Sequence, residues 1–231
     1  MEIRTINNRI VKIWTNEVDE NAINQITNLT TLPFLFHHLA IMPDVHAGKG
    51  MPIGGVLACE GAVIPNAVGV DIGCGMCAVK TNWSVEELPK EVIRKKIMKG
   101  IRERIPLGMD HHKEAQDAMY LPQGYDIDKM EIVKRRQNSI LHEVGTLGGG
   151  NHFIELQKDE DGNLWIMIHS GSRNLGKQVG DYYNKIAASL NEKWHSVVSP
   201  EIHLPFLALD TKEFGMYWNE MKYCIDFALC N

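Results

Sequence analysis

His152–His169 reads HFIELQKDEDGNLWIMIH. HFIELQ and LWIMIH are short apolar runs on either side of KDEDGN, and Asp161-Gly162 is a strong hairpin-turn signal. With a two-residue turn there, Glu160 faces Asn163 and His169 faces Ile154, and His152 lies two residues diagonally beyond. Residues two apart on a strand share a face. Both imidazoles are therefore expected on one face at one end of the hairpin, as diagonal neighbours roughly 7–8 Å apart at Cα. Two histidines so placed can serve one metal or two adjacent metals. The other reading is a loop histidine and a strand-end histidine with ordinary hydrogen-bonded roles.

Outward from the hairpin the patterning predicts an α+β fold, with antiparallel hairpins, mixed sheets and packed helices. Towards the N-terminus, to about Asn82, the chain reads as short strands and Gly-rich loops. Ile3–Trp14, Val56–Ala58, Ala62–Ile64 and Cys77–Thr81 are the strand candidates. Ser84 and Glu87 fit a capping box. Ile93, Ile97, Ile101 and Ile105 then recur every four residues on one helical face, which Pro106 and Gly108 end. Residues 107–128 read as a turn-rich excursion. Further helices are predicted over Lys129 to about Val144, from Asn174 to about Lys193, and over Lys212–Cys230. The chain ends at FALCN, where Phe227 and Leu229 are expected to want apolar partners.

Composition narrows the classes. The 231 residues are 44% hydrophobic, with 20 Gly and 9 Pro, which excludes disorder as the main state. No stretch approaches 18 consecutive apolar residues, so no membrane span is expected. The start, MEIRTINNRIVKIW, has no hydrophobic core of a secretory signal. The net charge of −5 is unlike that of a generally basic nucleic-acid binder, so an RNA site would be a local patch. Five irregularly spaced cysteines without an export signal argue for a reducing cytoplasm rather than a disulfide framework.

Four other segments can carry chemistry. VGVDIGCGM, Val68–Met76, sets Asp71 and Cys74 three apart among glycines. A carboxylate with a thiolate suits a divalent ion such as Mn²⁺, Zn²⁺ or Co²⁺, whereas the plainer reading is a tight turn with a buried cysteine. Cys74 and Cys77 also form C-x-x-C, but no second close pair completes a zinc site. Cys77–Thr81 reads as a strand, where a redox pair would want a helix. MPDVHAGKG, Met42–Gly50, puts Asp44, His46 and Lys49 in one loop, suited to a phosphate or metal outer shell or simply a polar turn. HSGSR, His169–Arg173, runs from a strand end to a helix start, where two hydroxyls, backbone N–H groups and the Arg173 fork make a plausible anion cradle. GTLGGGN, Gly145–Asn151, is a second Gly-rich loop.

MPDVHAGKG, AVGVDIGCGM, GTLGGGNHFIE and HSGSR, in that order, resemble the RtcB family of RNA-splicing ligases. The resemblance runs from Lys12–Thr15 through the helix after HSGSR, and is weakest over Gly108–Asp128. It implies GTP- and Mn²⁺-dependent joining of RNA 2′,3′-cyclic phosphate or 3′-phosphate ends to 5′-hydroxyl ends. It also implies that Asp71, Cys74, His152 and His169 are metal ligands, with the thiolate bridging two Mn²⁺. Asn151, His152, Phe153, Ile154 and Glu155 would contact GTP, with Asp44, His46 and Arg173 in supporting roles. RNA, GTP and archease are the implied partners, and the cytoplasm the implied location. The family has two further essential histidines, one a metal ligand and one the nucleophile that takes GMP. The nucleophile's role carries over to no residue here. Residues 1–231 are accordingly expected to be the N-terminal part of a single RtcB-type catalytic domain. A metal-dependent phosphoesterase and a non-catalytic ligase fragment are the alternatives.

Overall fold

The computed structural model describes residues 1–69 and 71–231. Its strands and helices, in chain order, are β1 Glu2–Ile6, β2 Arg9–Ile13, α1 Glu20–Thr30, β3 Leu35–His46, β4 Ile53–Cys59, β5 Ala62–Val63, α2 Pro65–Val68, β6 Gly75–Ser84, α3 Lys90–Val92, α4 Met98–Arg104, α5 Glu131–Glu143, β7 Phe153–Lys158, β8 Asn163–Ser170, α6 Leu175–Lys193, β9 Leu207–Ala208 and α7 Lys212–Cys230. This is the α+β class that the patterning predicts. Val70, inside the Val68–Met76 motif, lies outside the described residues. The chain forms two compact units, Met1–Val70 with Gly180–Trp218, and Asp71–Val179 with Asn219–Asn231. No helix among the described residues is long and apolar enough to cross a membrane.

In the first unit, Ile3–Trp14 folds into two strands rather than one. Asn7 and Asn8 both take left-handed backbone, φ 48° and 59°, as a two-residue hairpin turn between β1 and β2 requires. β2 then pairs in parallel with β3 through α1, and β3 pairs antiparallel with β4. Sequence reading missed both α1 and β3. α1 is rich in Asn and Thr, poor helix formers. It forms because the Asp19 carboxylate accepts the Ala22 N–H at 2.9 Å and because Ala22, Ile26 and Leu29 are buried at helical spacing. They share one core with Leu39 and Ile41 of β3.

In the second unit the sheet order is β6-β8-β7, with β8 central. The Ser84–Glu87 capping box forms as expected, but it heads only a 3-10 turn, Val85–Glu87. Pro89 pushes Leu88 into extended backbone, so the helix restarts at Lys90. It passes through a π-helical turn, Ile93–Ile97, and ends at Arg104. Helix α5 has no capping side chain at Met130. The carboxylate of Glu220, on α7 and fully buried, accepts the N–H groups of Glu131, Ile132 and Val133 at 2.8, 2.9 and 3.0 Å instead. Three orphan donors and the positive end of the helix dipole meet one negative charge. At the end of α7 Phe227 is buried, whereas Leu229 is 83% exposed.

Candidate metal centre

The antiparallel sheet explains why distant candidate ligands meet. β8 ends at Ser170, where both neighbours begin: Met76 of β6 and Phe153 of β7 each pair with His169. Cys74 lies two residues before Met76, and His152 one before Phe153. Both therefore arrive at the end of β8 that carries His169, from opposite sides.

The pairing register differs from the sequence expectation. Phe153 faces His169, and Ile154 faces Ile168. The turn is one residue wider because Asp159 closes it. Its carboxylate accepts from the N–H of Asp161 and Asn163, the Asn163 amide and the Trp165 indole, while Gly162 takes φ 85°. In this register strand alternation would put His152 and His169 on opposite faces. They meet because His152 lies outside β7, free of its pleat. Its Nδ1 lies 2.9 Å from the Leu147 carbonyl, with the ring centres of the two histidines 5.4 Å apart.

A carbonyl only accepts, so Nδ1 of His152 carries the proton and Nε2 presents its lone pair. That nitrogen is 3.6 Å from the Cys74 sulfur. Cys74, His152 and His169 each offer a donor atom within 4.8 Å of the other two. Asp71 joins through Cys74, whose Sγ lies 3.8 Å from Oδ2. Burial, reinforced by the Asp71 carboxylate, pushes the Cys74 thiol up, so without a cation the sulfur keeps its proton and donates to Asp71. Bonds of about 2.0–2.3 Å to one ion set neighbouring donor atoms about 3–4 Å apart, which these spacings approach. One thiolate, two imidazoles and a carboxylate suit a borderline or soft divalent ion. Cys77 is a strand residue facing Ile168 and is not in the cluster.

The Gly-rich loops fit closely around these candidate ligands. Gly148 has φ 93°, and a Cβ there would collide with the Arg173 guanidinium and come within 2.5 Å of His152 Nδ1. A Cβ on Gly171 would sit 3.1 Å from the Cys74 sulfur. The HSGSR side chains are not arranged as an anion cradle. Ser170 Oγ donates to the Leu147 carbonyl, and Ser172 Oγ donates to the Ile72 carbonyl while capping Gly176 N–H. Arg173 donates to Thr146 Oγ1 and the Gly108 carbonyl. These groups tie loops together because a buried donor left unpaired is costly.

Of the residues expected to face GTP, Asn151 is exposed in the turn before His152. Phe153 and Glu155 lie on the His169 face of β7, with the Phe153 ring edge-on to His169 at 5.7 Å. Ile154 points to the other face. Asp44 and His46, expected in a loop, are the last residues of β3, in the first unit. His46 pairs with Ile53, and its Nδ1 contacts the Asp44 carbonyl at 2.8 Å. The strand runs on because Leu39, Ile41 and Val45 are buried, while Pro43 falls in the irregular stretch between Ile41 and His46 where the ladder needs no N–H. Sequence reading missed the Leu147 carbonyl, since a backbone acceptor has no signature in residue type.

The fold and the site define an α+β protein with a candidate transition-metal centre on Gly-rich loops. The family model described as tRNA-splicing ligase RtcB matches residues 25–231. The RNA-splicing ligase RtcB of Escherichia coli K12 is 36% identical over 249 residues, spanning all of this chain and 60% of that protein. The tRNA-splicing ligases RtcB of Thermococcus kodakarensis and Archaeoglobus fulgidus are 27% and 29% identical, over 92% and 93% of this chain and 53% of theirs. This chain belongs to the RtcB family, and spans between half and two thirds of the length of these relatives.

Proposed function

We propose that these residues form the N-terminal part of an RtcB catalytic domain that joins RNA 3′-phosphate or 2′,3′-cyclic phosphate ends to 5′-hydroxyl ends, using GTP and Mn²⁺. The observation that carries this reading is the convergence of Cys74, His152 and His169 in a chain of that family. Asp71, Cys74, His152 and His169 would hold the metal. Mn²⁺ bound there would stabilise negative charge developing on phosphoryl oxygens. The chain's own groups do the positioning. The Leu147 carbonyl aims the His152 lone pair, Asp71 takes up the Cys74 proton's hydrogen bond, and Phe153 and Glu155 present a ring and a carboxylate beside His169 for the nucleotide. Asn151 and the backbone at Ile154 complete that surface. Arg173 supports it by holding Thr146 and Gly108. The nucleophile that takes GMP is assigned to no residue here. RNA ends, GTP and archease are the partners and the cytoplasm is the location.

The test is equilibrium binding of labelled GTP to the 231-residue protein with and without Mn²⁺. Mn²⁺-dependent retention, lost in Cys74→Ser, is expected. Release of phosphate from a cyclic-phosphate RNA end without GTP would favour a phosphoesterase instead. No binding of metal or GTP would overturn the proposal.

A further inference from the structure

The side-chain amide of Asn231 joins the two Gly-rich loops that carry the candidate ligands. Its Oδ1 accepts from Gly145 N–H at 2.9 Å and Thr146 N–H at 3.2 Å. Its Nδ2 donates to Ser170 Oγ at 2.9 Å and to the Gly171 carbonyl at 3.1 Å. A carboxamide has two donor hydrogens and two acceptor lone pairs, so all four are used, two on each loop.

Three of the four bonds lead towards a candidate ligand. Ser170 follows His169, and its Oγ donates at 2.9 Å to the Leu147 carbonyl, the group that also orients His152. Asn231 thus fixes the rotor of Ser170, and Ser170 with His152 fixes the carbonyl between them. Gly171 packs against Cys74, with a Cβ position only 3.1 Å from the sulfur. Thr146 adjoins Leu147 and accepts from Arg173 at 2.7 Å. One amide therefore reaches His152, His169 and Cys74 while touching none of them.

We propose that Asn231 is a positioning residue for the metal centre, holding both loops so that the donor atoms converge before a cation arrives. This rests on the reading of the cluster as a metal site. Groups that orient metal ligands from behind are typically worth 10–100-fold in affinity, because a loosened ligand must be re-ordered on binding.

Two variants separate positioning from plain structural support. Asn231→Ala removes all four bonds. Asn231→Asp keeps the acceptor for Gly145 and Thr146 but loses the donor. Ser170 Oγ then turns its hydrogen to the new carboxylate and releases Leu147. Three measurements are made on the 231-residue protein: the thermal midpoint, the imidazole ¹⁵N signals of metal-free His152, and a Co²⁺ titration read at the thiolate charge-transfer band. The expected result for Asn231→Asp is a near-unchanged midpoint, loss of the fixed Nδ1–H tautomer and Co²⁺ affinity weakened about 10–100-fold. Asn231→Ala is expected to be weaker still. Wild-type tautomer and affinity in both variants would overturn the proposal. A collapse of the midpoint in Asn231→Asp would overturn it in favour of a purely structural role. If the wild-type chain takes up no Co²⁺, the metal reading fails, and the ¹⁵N signals alone decide whether Asn231 orients His152.

Discussion

The sulfur of Cys74 stands 3.6 Å from Nε2 of His152, across 78 positions of sequence. Neither residue is in a strand. Each lies just outside one, on a backbone whose course is set by glycines, carbonyls and hydroxyls. The contact is therefore a product of loop packing, with the sheet supplying only the shared end.

That contact separates the two cysteines of C-x-x-C. Cys74→Ser is expected to abolish the Co²⁺ charge-transfer band and weaken metal binding by more than about 100-fold, beyond the usual cost of losing a group that merely orients a ligand. Cys77→Ser is expected to bind as the wild type does, since Cys77 pairs with Ile168 away from the cluster. Equal losses in the two would mean that both thiols bind the cation.

Gly148→Ala tests the fit of the Gly-rich loop. The added methyl meets the Arg173 guanidinium and the His152 ring, and the left-handed backbone adds strain. A destabilisation of about 1–3 kcal/mol is expected from strain and overpacking, together with weaker metal uptake because His152 must move. Denaturant titration and Co²⁺ binding read the two effects. Unchanged values in both would show that the loop yields freely.

Glu220→Ala leaves three N–H groups at the start of α5 without their buried acceptor. A loss of about 3 kcal/mol is expected, combining unpaired donors with a missing cap, read as a shift in the urea midpoint. A loss under about 1 kcal/mol would mean that water replaces the carboxylate, against the complete burial of Glu220.

The hairpin turn should depend on pH through Asp159. The Trp165 indole, with the Asn163 donors, holds this carboxyl down to about 2 from its ordinary 3.8. The folded-state value is depressed, so the contribution is fully present above the unfolded value and fades as pH falls through the folded one. Between about pH 4 and pH 2 the Trp165 indole N–H is expected to lose protection from hydrogen exchange in the wild type. Asp159→Asn should remove that pH dependence. Parallel profiles for the two proteins would show that the turn does not draw on the charge.

Much of this was legible from local chemistry. α7 was predicted over its observed range because its apolar residues recur at helical spacing, and the ends of α6 were placed to within a residue. Asp71, Cys74, His152 and His169 were selected because thiolate, imidazole and carboxylate next to glycines are chemically conspicuous. α1 was not legible, since its Asn- and Thr-rich sequence is poorly helical until Ala22, Ile26 and Leu29 are buried. β3 was not legible either, and its end at Asp44–His46 shows why: Pro43 and the glycines that follow signal a loop, and only the burial of Val45 and the pairing of His46 with Ile53 keep the strand going.

The sequence by itself determined which side chains carry donor atoms, because donor chemistry belongs to the side chain. It also determined the α+β class, because apolar periodicity is local. Only the tertiary structure decided how the donors are aimed. The hairpin register moved by one residue when Asp159 captured the turn, and by alternation that shift should have parted His152 from His169. They stay together because the Leu147 carbonyl, the Gly148 backbone and the Asn231 amide hold the loops. A carbonyl, a missing Cβ and a hydrogen bond between loops exert their effect only at short range in space, so they have no expression along the chain until it has folded.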